Sequence, residues 1–251
     1  MSEVTADIAN EKASRESSEV DASQTRWFYV AQSPAGGISK GSADSTTAFV
    51  ETLSAATIAW VDYVVRGPDF DKEALSAATQ LGFSEALMSA FADKSFTNYM
   101  DFDTEVGVKL PSIQITQSHV EPYPLLLLMK KNFILTIHPV NVDRRFTKLR
   151  RYSDTVLKKI PVDAVPEDKL TLLLIRIVDE NNDRNFEHLR QIEERGDALN
   201  EAMMDPHVPR TKVAPEIFHM KHALITYLNA LWDTLDVLHA LRYGDAELIT
   251  N

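Results

Sequence analysis

The chain has 251 residues, a formal net charge of −11 at pH 7 and a hydrophobic share of 44%. This length allows one sizeable core, or one domain with an appendage, and the composition is ordinary for a soluble globular protein. The acidity argues against a nucleic-acid partner, because phosphate binding requires clustered lysine and arginine side chains. The sequence contains no cysteine, which excludes disulfide bonds and thiolate metal sites.

Residues 1–24 are polar and rich in serine, glutamate and aspartate. Such a segment cannot bury enough apolar surface to fold, so we predict a disordered N-terminal tail. It also lacks the apolar core that a secretory signal requires. The longest apolar runs elsewhere, 124–129 and 170–175, fall well short of the roughly 20 residues that cross a bilayer.

A first domain is predicted from residue 25 to residue 165, where short strand and helix patterns follow one another. Runs of β-branched, aromatic and leucine residues predict strands at 27–31, 57–65 and 105–117, and a hairpin formed by 123–130 and 132–138. Pro111 indicates an edge position or a bulge in the third strand. Segment 33–42, which contains three glycines, predicts a loop.

Helix patterns alternate with these strands. Capping residues and apolar spacing predict helices around 45–53, over 69–83 and 84–91, and over the basic amphipathic stretch 141–160. Asp69 is the clearest N-cap candidate among them. The residues therefore predict a sheet of about five strands with helices on its faces, in an α/β or α+β fold with a helical extension.

The extension covers residues 166–251 and is predicted to be a long antiparallel helical hairpin. No proline interrupts 168–204, so one helix of roughly 55 Å is expected there, longer than a compact domain needs. A second helix is expected over 215–243. Between them the segment 205–215 contains three prolines, which predicts a turn.

Apolar residues spaced three and four apart predict a narrow contact between the two long helices. The predicted seam includes Leu189, Ile192, Leu224, Leu228 and Leu231. If Leu228 is buried in that seam, Leu228→Ala should cost about 2–5 kcal/mol.

The titratable residues show no catalytic arrangement. The sequence has no G-x-S-x-G element, no phosphate-binding glycine loop and no other nucleophile with a matching base, so no enzyme is predicted. His219 and His222 share a helix face, but with no third ligand nearby they are interpreted as surface or interface histidines. The carboxylates between Asp179 and Glu201 are interpreted as a solvated helix face, the alternative being a collar that concentrates cations.

Three blocks, in this order, resemble the cytosolic part of CorA-type divalent-cation transporters. The first is WVDYVVRGPDFDKEALSAATQLGFSEALMSAF at 60–91, and the second is LLLLMKKNFILTIHP at 125–139. The third consists of the helical stretches 172–204 and 221–249, with Trp232 in the second. The match extends from about Thr57 to Ile249, which is about three quarters of the chain.

The resemblance implies a cytosolic funnel domain, an αβα sandwich around a mixed sheet, followed by a long hairpin whose second helix begins a stalk. It further implies a homopentamer at the cytoplasmic face of the cell inner membrane, with a membrane-spanning segment expected C-terminal to this chain. The family's Gly-Met-Asn pore signature is absent from these 251 residues.

The resemblance also implies a regulatory cation site between subunits, for Mg²⁺ or alternatively Co²⁺ or Zn²⁺. In the family, the second short helix carries an acidic pair within the motif Leu-Glu-Asp. The corresponding residues of this sequence are Met88, Ser89 and Ala90. Asp245 is the expected ligand on the stalk side, and Asp93 or Glu85 would have to replace the missing partner. The alternative function is a soluble coiled-coil interaction module that handles no ion.

Overall fold

The structure is a computed structural model that describes residues 25–92, 98–116, 119–244 and 246–250. The predicted N-terminal tail, 1–24, lies outside these residues. So do Asp93 and Asp245, two of the three predicted cation ligands.

A seven-stranded mixed sheet forms the centre of the molecule. Its strands are β1 (Trp27–Gln32), β2 (Ile38–Ala43), β3 (Ile58–Val65), β4 (Tyr99–Asp101), β5 (Val106–Thr116), β6 (His119–Lys130) and β7 (Phe133–Pro139). Their order across the sheet is β2-β1-β3-β7-β6-β5-β4. The central pair, β3 and β7, is parallel, and every other pair is antiparallel.

Seven α-helices accompany this sheet in the described part of the chain. They are α1 (Val50–Ser54), α2 (Phe70–Gln80), α3 (Glu85–Ala92), α4 (Asp143–Lys158), α5 (Pro166–Asn182), α6 (Asn185–Met204) and α7 (Arg210–Tyr243). Asp69 caps α2 as predicted, because its carboxylate accepts a hydrogen bond from the Lys72 amide. None of the helices described here combines the length and apolar character needed to cross a membrane.

Both faces of the sheet are covered. One core packs α1, α2 and α3 against residues such as Val61 and Leu128, and the other packs α4, α5 and the end of α7 against Trp60 and Leu127. β3 is covered on both faces, so all eight of its positions are buried. A strand in this position needs apolar side chains on both faces, which explains its nearly continuous apolar sequence. The predicted αβα sandwich is confirmed.

Two strands were not predicted. Segment 33–42, predicted as a loop, contains most of β2, whose sequence ISKGSA carries little apolar signal and has no buried residue. β4 has three residues and pairs only with the start of β5. Pro111 lies beyond the residues of β5 that pair with β4, so β5 is an edge strand at this position, as predicted. On its other side the register with β6 continues through Pro111 and Pro124 without a bulge.

The single helix predicted over 168–204 is wrong. The chain breaks it into α5 and α6 at Asp183 and Arg184. The surrounding sequence, NNDRN, concentrates residues that favour turns because their short side chains compete for backbone hydrogen bonds. The second helix begins at Arg210, five residues before Pro215, which therefore lies inside α7 at the cost of one backbone hydrogen bond.

The predicted seam is wrong for Leu224 and Leu228 of α7, which are exposed, whereas Leu231 is partly buried and packs against the cluster that contains Ile192. The buried residues of α7 are Val213, Ala223, Tyr227, Ala230, Thr234 and Val237. From Ala223 onward, each stands one position before a leucine, so the buried face is rotated by about 100° from the leucine face; these leucines are Leu224, Leu228, Leu231, Leu235 and Leu238. Leu228 is 52% exposed, which contradicts its assignment to the core of this chain. On α6, Ile192 is buried as predicted, whereas Leu189 is exposed.

Candidate functional site

The predicted cation ligands are not brought together within the described residues. Glu85 is the first residue of α3, and its side chain is exposed. Asp93 follows the end of α3, and Asp245 follows Gly244, the residue after α7, but both lie outside the described residues. The site of Asp245 with Asp93 or Glu85 therefore stays a prediction.

The three residues at the expected acidic position contribute no carboxylate. Met88 is buried in the core under the sheet, and Ser89 is exposed. Ser89 lines a groove of about 300 Å³ between α2 and α3, together with Asp69 and Lys109. Among the described residues, no three histidine, aspartate or glutamate side chains are grouped so that they could hold a metal ion.

A second groove, of about 390 Å³, was not predicted from the sequence. It is lined by Asp71 at the start of α2, Asp233 of α7 and Lys109 of β5, among other residues. Burial, and then the neighbouring Asp236, raise the pKa of Asp233. A cation would relieve this repulsion, whereas the ammonium group of Lys109 opposes cation binding.

The histidines singled out on α7 lie near the end of the β5–β6 hairpin. The His219 ring lies 5.9 Å from the ring of His119, between centroids, and borders a cavity of about 250 Å³ between α6 and α7. Nδ1 of His222 lies 3.5 Å from the hydroxyl of Thr226. These contacts agree with the interpretation as surface or interface histidines.

The acidic face of the first helical stretch is partly paired. Glu180 is buried and lies 3.6 Å from Arg176 and 3.7 Å from Lys148. Lys148 also lies 3.7 Å from Asp183, and Arg190 lies 3.8 Å from Glu194, four positions later on the helix. Neutralised carboxylates contribute little to a long-range negative field.

A buried ion network fixes α4 against the centre of the sheet. The fully buried carboxylate of Asp62 in β3 accepts a hydrogen bond from Nε of Arg150 at 2.6 Å and lies 3.2 Å from Nε2 of His138. The hydroxyl of Thr136 also donates to Asp62, and Arg150 contacts Asp143. Burial alone would raise the pKa of Asp62, but Arg150 and His138 outweigh it and hold that pKa well below its usual range. The network is structural, because its carboxylates are already paired.

The most unusual surface is an apolar stripe along α7, which we call the leucine stripe. Its members are separated by three, four or seven positions, which keeps them on one side of the helix, and each exposes more than a third of its side chain. They are Ile217, Leu224, Leu228, Trp232, Leu235 and Leu238. A contiguous apolar surface of this kind marks an interaction site in a soluble protein.

Comparison with solved structures identifies the fold. The soluble domain of CorA from Methanocaldococcus jannaschii superposes with a TM-score of 0.63 at 17% identity, covering 91% of this chain and 83% of that chain. The complete CorA magnesium transporter of that organism gives 0.62 at 17%, with 91% and 66% covered, so this chain spans about two thirds of it. The ZntB cytoplasmic domain from Vibrio parahaemolyticus RIMD 2210633 gives 0.50 at 14%, with 89% and 82% covered.

The architecture is thus that of the soluble domains found in these proteins. A sequence comparison with curated proteins found no match. The family profile described as CorA-like Mg2+ transporter protein matches residues 55–251. The chain belongs to this family, which confirms the resemblance seen in the sequence.

Proposed function

We propose that this chain is the cytoplasmic, cation-sensing domain of a CorA-like divalent-cation transporter at the inner membrane. Mg²⁺ is the first candidate ion, with Co²⁺ and Zn²⁺ as alternatives. The family match over residues 55–251 supports the class of transporter. The net charge of −11 supports an affinity for cations over nucleic acids. Ion conduction is assigned to a membrane-spanning segment C-terminal to the chain, and no enzymatic activity is assigned to it.

The leucine stripe is the observation that supports self-association, and we propose that the domain works as a homopentamer. The stripe lies on α7, the helix that leads toward the expected membrane segment, and it is not covered by the described part of the chain. Leu228 and Trp232 expose 52% and 55% of their side chains. Fully burying a leucine is worth about 1.5–3 kcal/mol, so burying the exposed half of Leu228 would add about 1 kcal/mol per protomer.

A cation shared between neighbouring subunits would stabilise this ring. Two carboxylates about 4 Å apart repel by roughly 4 kcal/mol at an effective dielectric of 20, and a bound Mg²⁺ removes that repulsion. The proposed ligands are Asp245 of one protomer and Asp93 or Glu85 of the next. At a cation concentration equal to the dissociation constant, five such sites add about 2 kcal/mol, enough to bias the assembly but not to hold it alone.

The leucine stripe also favours the alternative function, an interaction module that binds a different helix and handles no ion. The two functions differ in what the purified chain does by itself. A transporter domain of this kind forms a five-fold homo-oligomer that responds to Mg²⁺. An interaction module stays a monomer or dimer and shows no Mg²⁺ response.

The test combines native mass spectrometry with thermal melting, in millimolar Mg²⁺ and in EDTA. We expect a pentamer that Mg²⁺ stabilises, and that Asp245→Asn weakens this response while Asp205→Asn, at the far end of α6, leaves it unchanged. Leu228→Ser should shift the mass toward the monomer. Its control is Tyr152→Ser, because Tyr152 is similarly exposed, at 54%, but lies on α4. A wild-type chain with no Mg²⁺-dependent change in mass or melting would refute the sensing role.

A further inference from the structure

Three buried polar atoms near the break between α5 and α6 have no hydrogen-bonding partner among the described residues. They are the hydroxyl oxygen of Ser112, the side-chain oxygen of Asn181 and Nδ1 of His188. These residues are exposed by only 0%, 1% and 7%. Buried polar groups in folded proteins are normally satisfied, so three together point to an additional ligand.

The three residues belong to one junction. The Asn181 amide donates a hydrogen bond to the carbonyl of Pro111, the neighbour of Ser112, at 3.1 Å. Nη1 of Arg145 donates a hydrogen bond to the backbone carbonyl of Asn181 at 2.9 Å. The ring of His188 lies edge-on to Tyr227, with 6.5 Å between centroids. The junction therefore joins α4, α5, α6 and α7 to β5.

The junction carries positive charge without a matching carboxylate. No carboxylate within the described ranges forms an ion pair with Arg145 or with the nearby Arg184. The adjacent Glu180 and Asp183 are occupied by Lys148. In contrast, the other partly buried arginine of α4, Arg150, contacts two carboxylates.

The protonation equilibria agree with a positive local potential. Burial, and then the charge of Arg184, lower the pKa of Arg145 to about 10. Burial, and then Arg145, lower the pKa of His188 to about 4, although Glu187 acts in the opposite direction. A partly buried cation without a counter-charge is unfavourable, and an anion can remove part of that penalty.

We propose that this junction binds one small oxyanion, inorganic hydrogen phosphate, between Arg145, Ser112, His188 and Asn181. The guanidinium, the serine hydroxyl and a protonated ring nitrogen donate to anionic oxygens. The Asn181 oxygen can only accept, so it requires a ligand that also carries a donor, which the P–OH group supplies. Sulfate has no such proton at neutral pH, and a water molecule has no charge to balance Arg145.

The bound ion would connect the globular body to the helical hairpin at the point where the helix breaks. This inference does not depend on cation transport, because it rests only on the polar groups of the junction.

The test is isothermal titration of the purified chain with inorganic phosphate, and separately with sulfate, at constant ionic strength. We expect saturable binding of one phosphate per chain and much weaker binding of sulfate. Arg145→Gln should reduce phosphate affinity about tenfold to a hundredfold, as expected for a charge-assisted hydrogen bond. Arg144→Gln is the matched control, because Arg144 is the exposed neighbour on the same helix.

Ser112→Ala provides a second variant that removes one donor and leaves the charge intact, and it should weaken binding about fivefold to tenfold. Circular dichroism confirms that each variant is folded before titration. The proposal is overturned if the wild-type protein shows no binding at 10 mM phosphate, because even a weak site would have a dissociation constant below about that concentration. Equal affinity for sulfate, or unchanged affinity in Arg145→Gln, overturns it as well.

Discussion

Asp62→Asn tests whether the buried ion network holds α4 on the sheet. The substitution keeps the shape of the side chain but removes the negative charge that faces Arg150 and His138. It also leaves the Thr136 hydroxyl and Nε of Arg150 beside a neutral amide. Because Arg150 is only partly exposed, water cannot fully replace the lost carboxylate.

The expected loss follows from the burial of the network. Removing one partner of a buried ion pair typically costs about 3–5 kcal/mol. Arg150 keeps its contact with Asp143, so we expect the lower end, about 3 kcal/mol. In a chain of this size each kcal/mol lowers the melting temperature by about 2–4 °C, which predicts a decrease of about 6–12 °C.

The assay is thermal and urea unfolding at pH 7, repeated at lower pH. The pKa of Asp62 is depressed in the folded state, so its stabilisation is complete above the unfolded value near 3.9. That stabilisation is lost as pH falls below this value toward the folded-state pKa. The difference between wild type and variant should therefore be constant from pH 7 to about pH 5 and narrow below about pH 4.

Asp154→Asn is the control, because Asp154 lies on the same helix and makes an exposed ion pair with Lys40 at 3.0 Å. We expect no resolvable change in stability for it. The reasoning would be refuted if both variants had the same stability, or if Asp62→Asn lost less than about 1 kcal/mol.

Three further predictions concern packing and titration. Gly107→Ala should destabilise by about 1–3 kcal/mol in urea unfolding, because its new Cβ would lie 2.6 Å from the ring of Phe91; no loss would show that the core can adjust. Gly196→Ala, with nothing within 4 Å of the added carbon, should stabilise α6, by about 0.5–1 kcal/mol, and a loss would contradict this. Burial and Arg145 lower the pKa of His188 to about 4, so NMR in phosphate-free buffer should show a neutral ring at pH 6. The contribution of the neutral ring to folding stability is lost as pH falls from about 6.5, the unfolded value. An observed pKa above 6 would contradict the burial argument.

The sequence predicted the central strands well because their signals are local. β3 and β7 are long runs of β-branched and aromatic residues, and the turn at Asn132 is short. β2 was missed because a strand that contains glycine and serine and has no buried residue lacks an apolar pattern. The sandwich itself came from the family resemblance, since strand patterns alone left both α/β and α+β open.

The rotation of α7 shows why the hairpin was harder to predict. Leucines and small residues both recur every three or four positions on this helix, in two stripes one residue apart. The larger leucines give the stronger hydrophobic signal, but Ala223 and Ala230 allow α7 to approach its neighbours closely, with Tyr227 filling the space between them. A sequence pattern cannot say whether a leucine faces its own chain or a second one. The proposed cation ligands were equally out of reach, because a site shared between subunits would leave no cluster in one chain.

The strand order has a consequence for how the chain folds. Every neighbouring pair in the sheet joins strands close in sequence, except the parallel pair β3–β7, in which Ala59 lies opposite Phe133. The units β1–β3 and β4–β7 can therefore form early, each by local antiparallel pairing. Closing the long loop between β3 and β7 costs more chain entropy, so we expect this step to limit the folding rate. Until it occurs, two apolar strand edges stay unpaired, and this intermediate is the species most prone to aggregation.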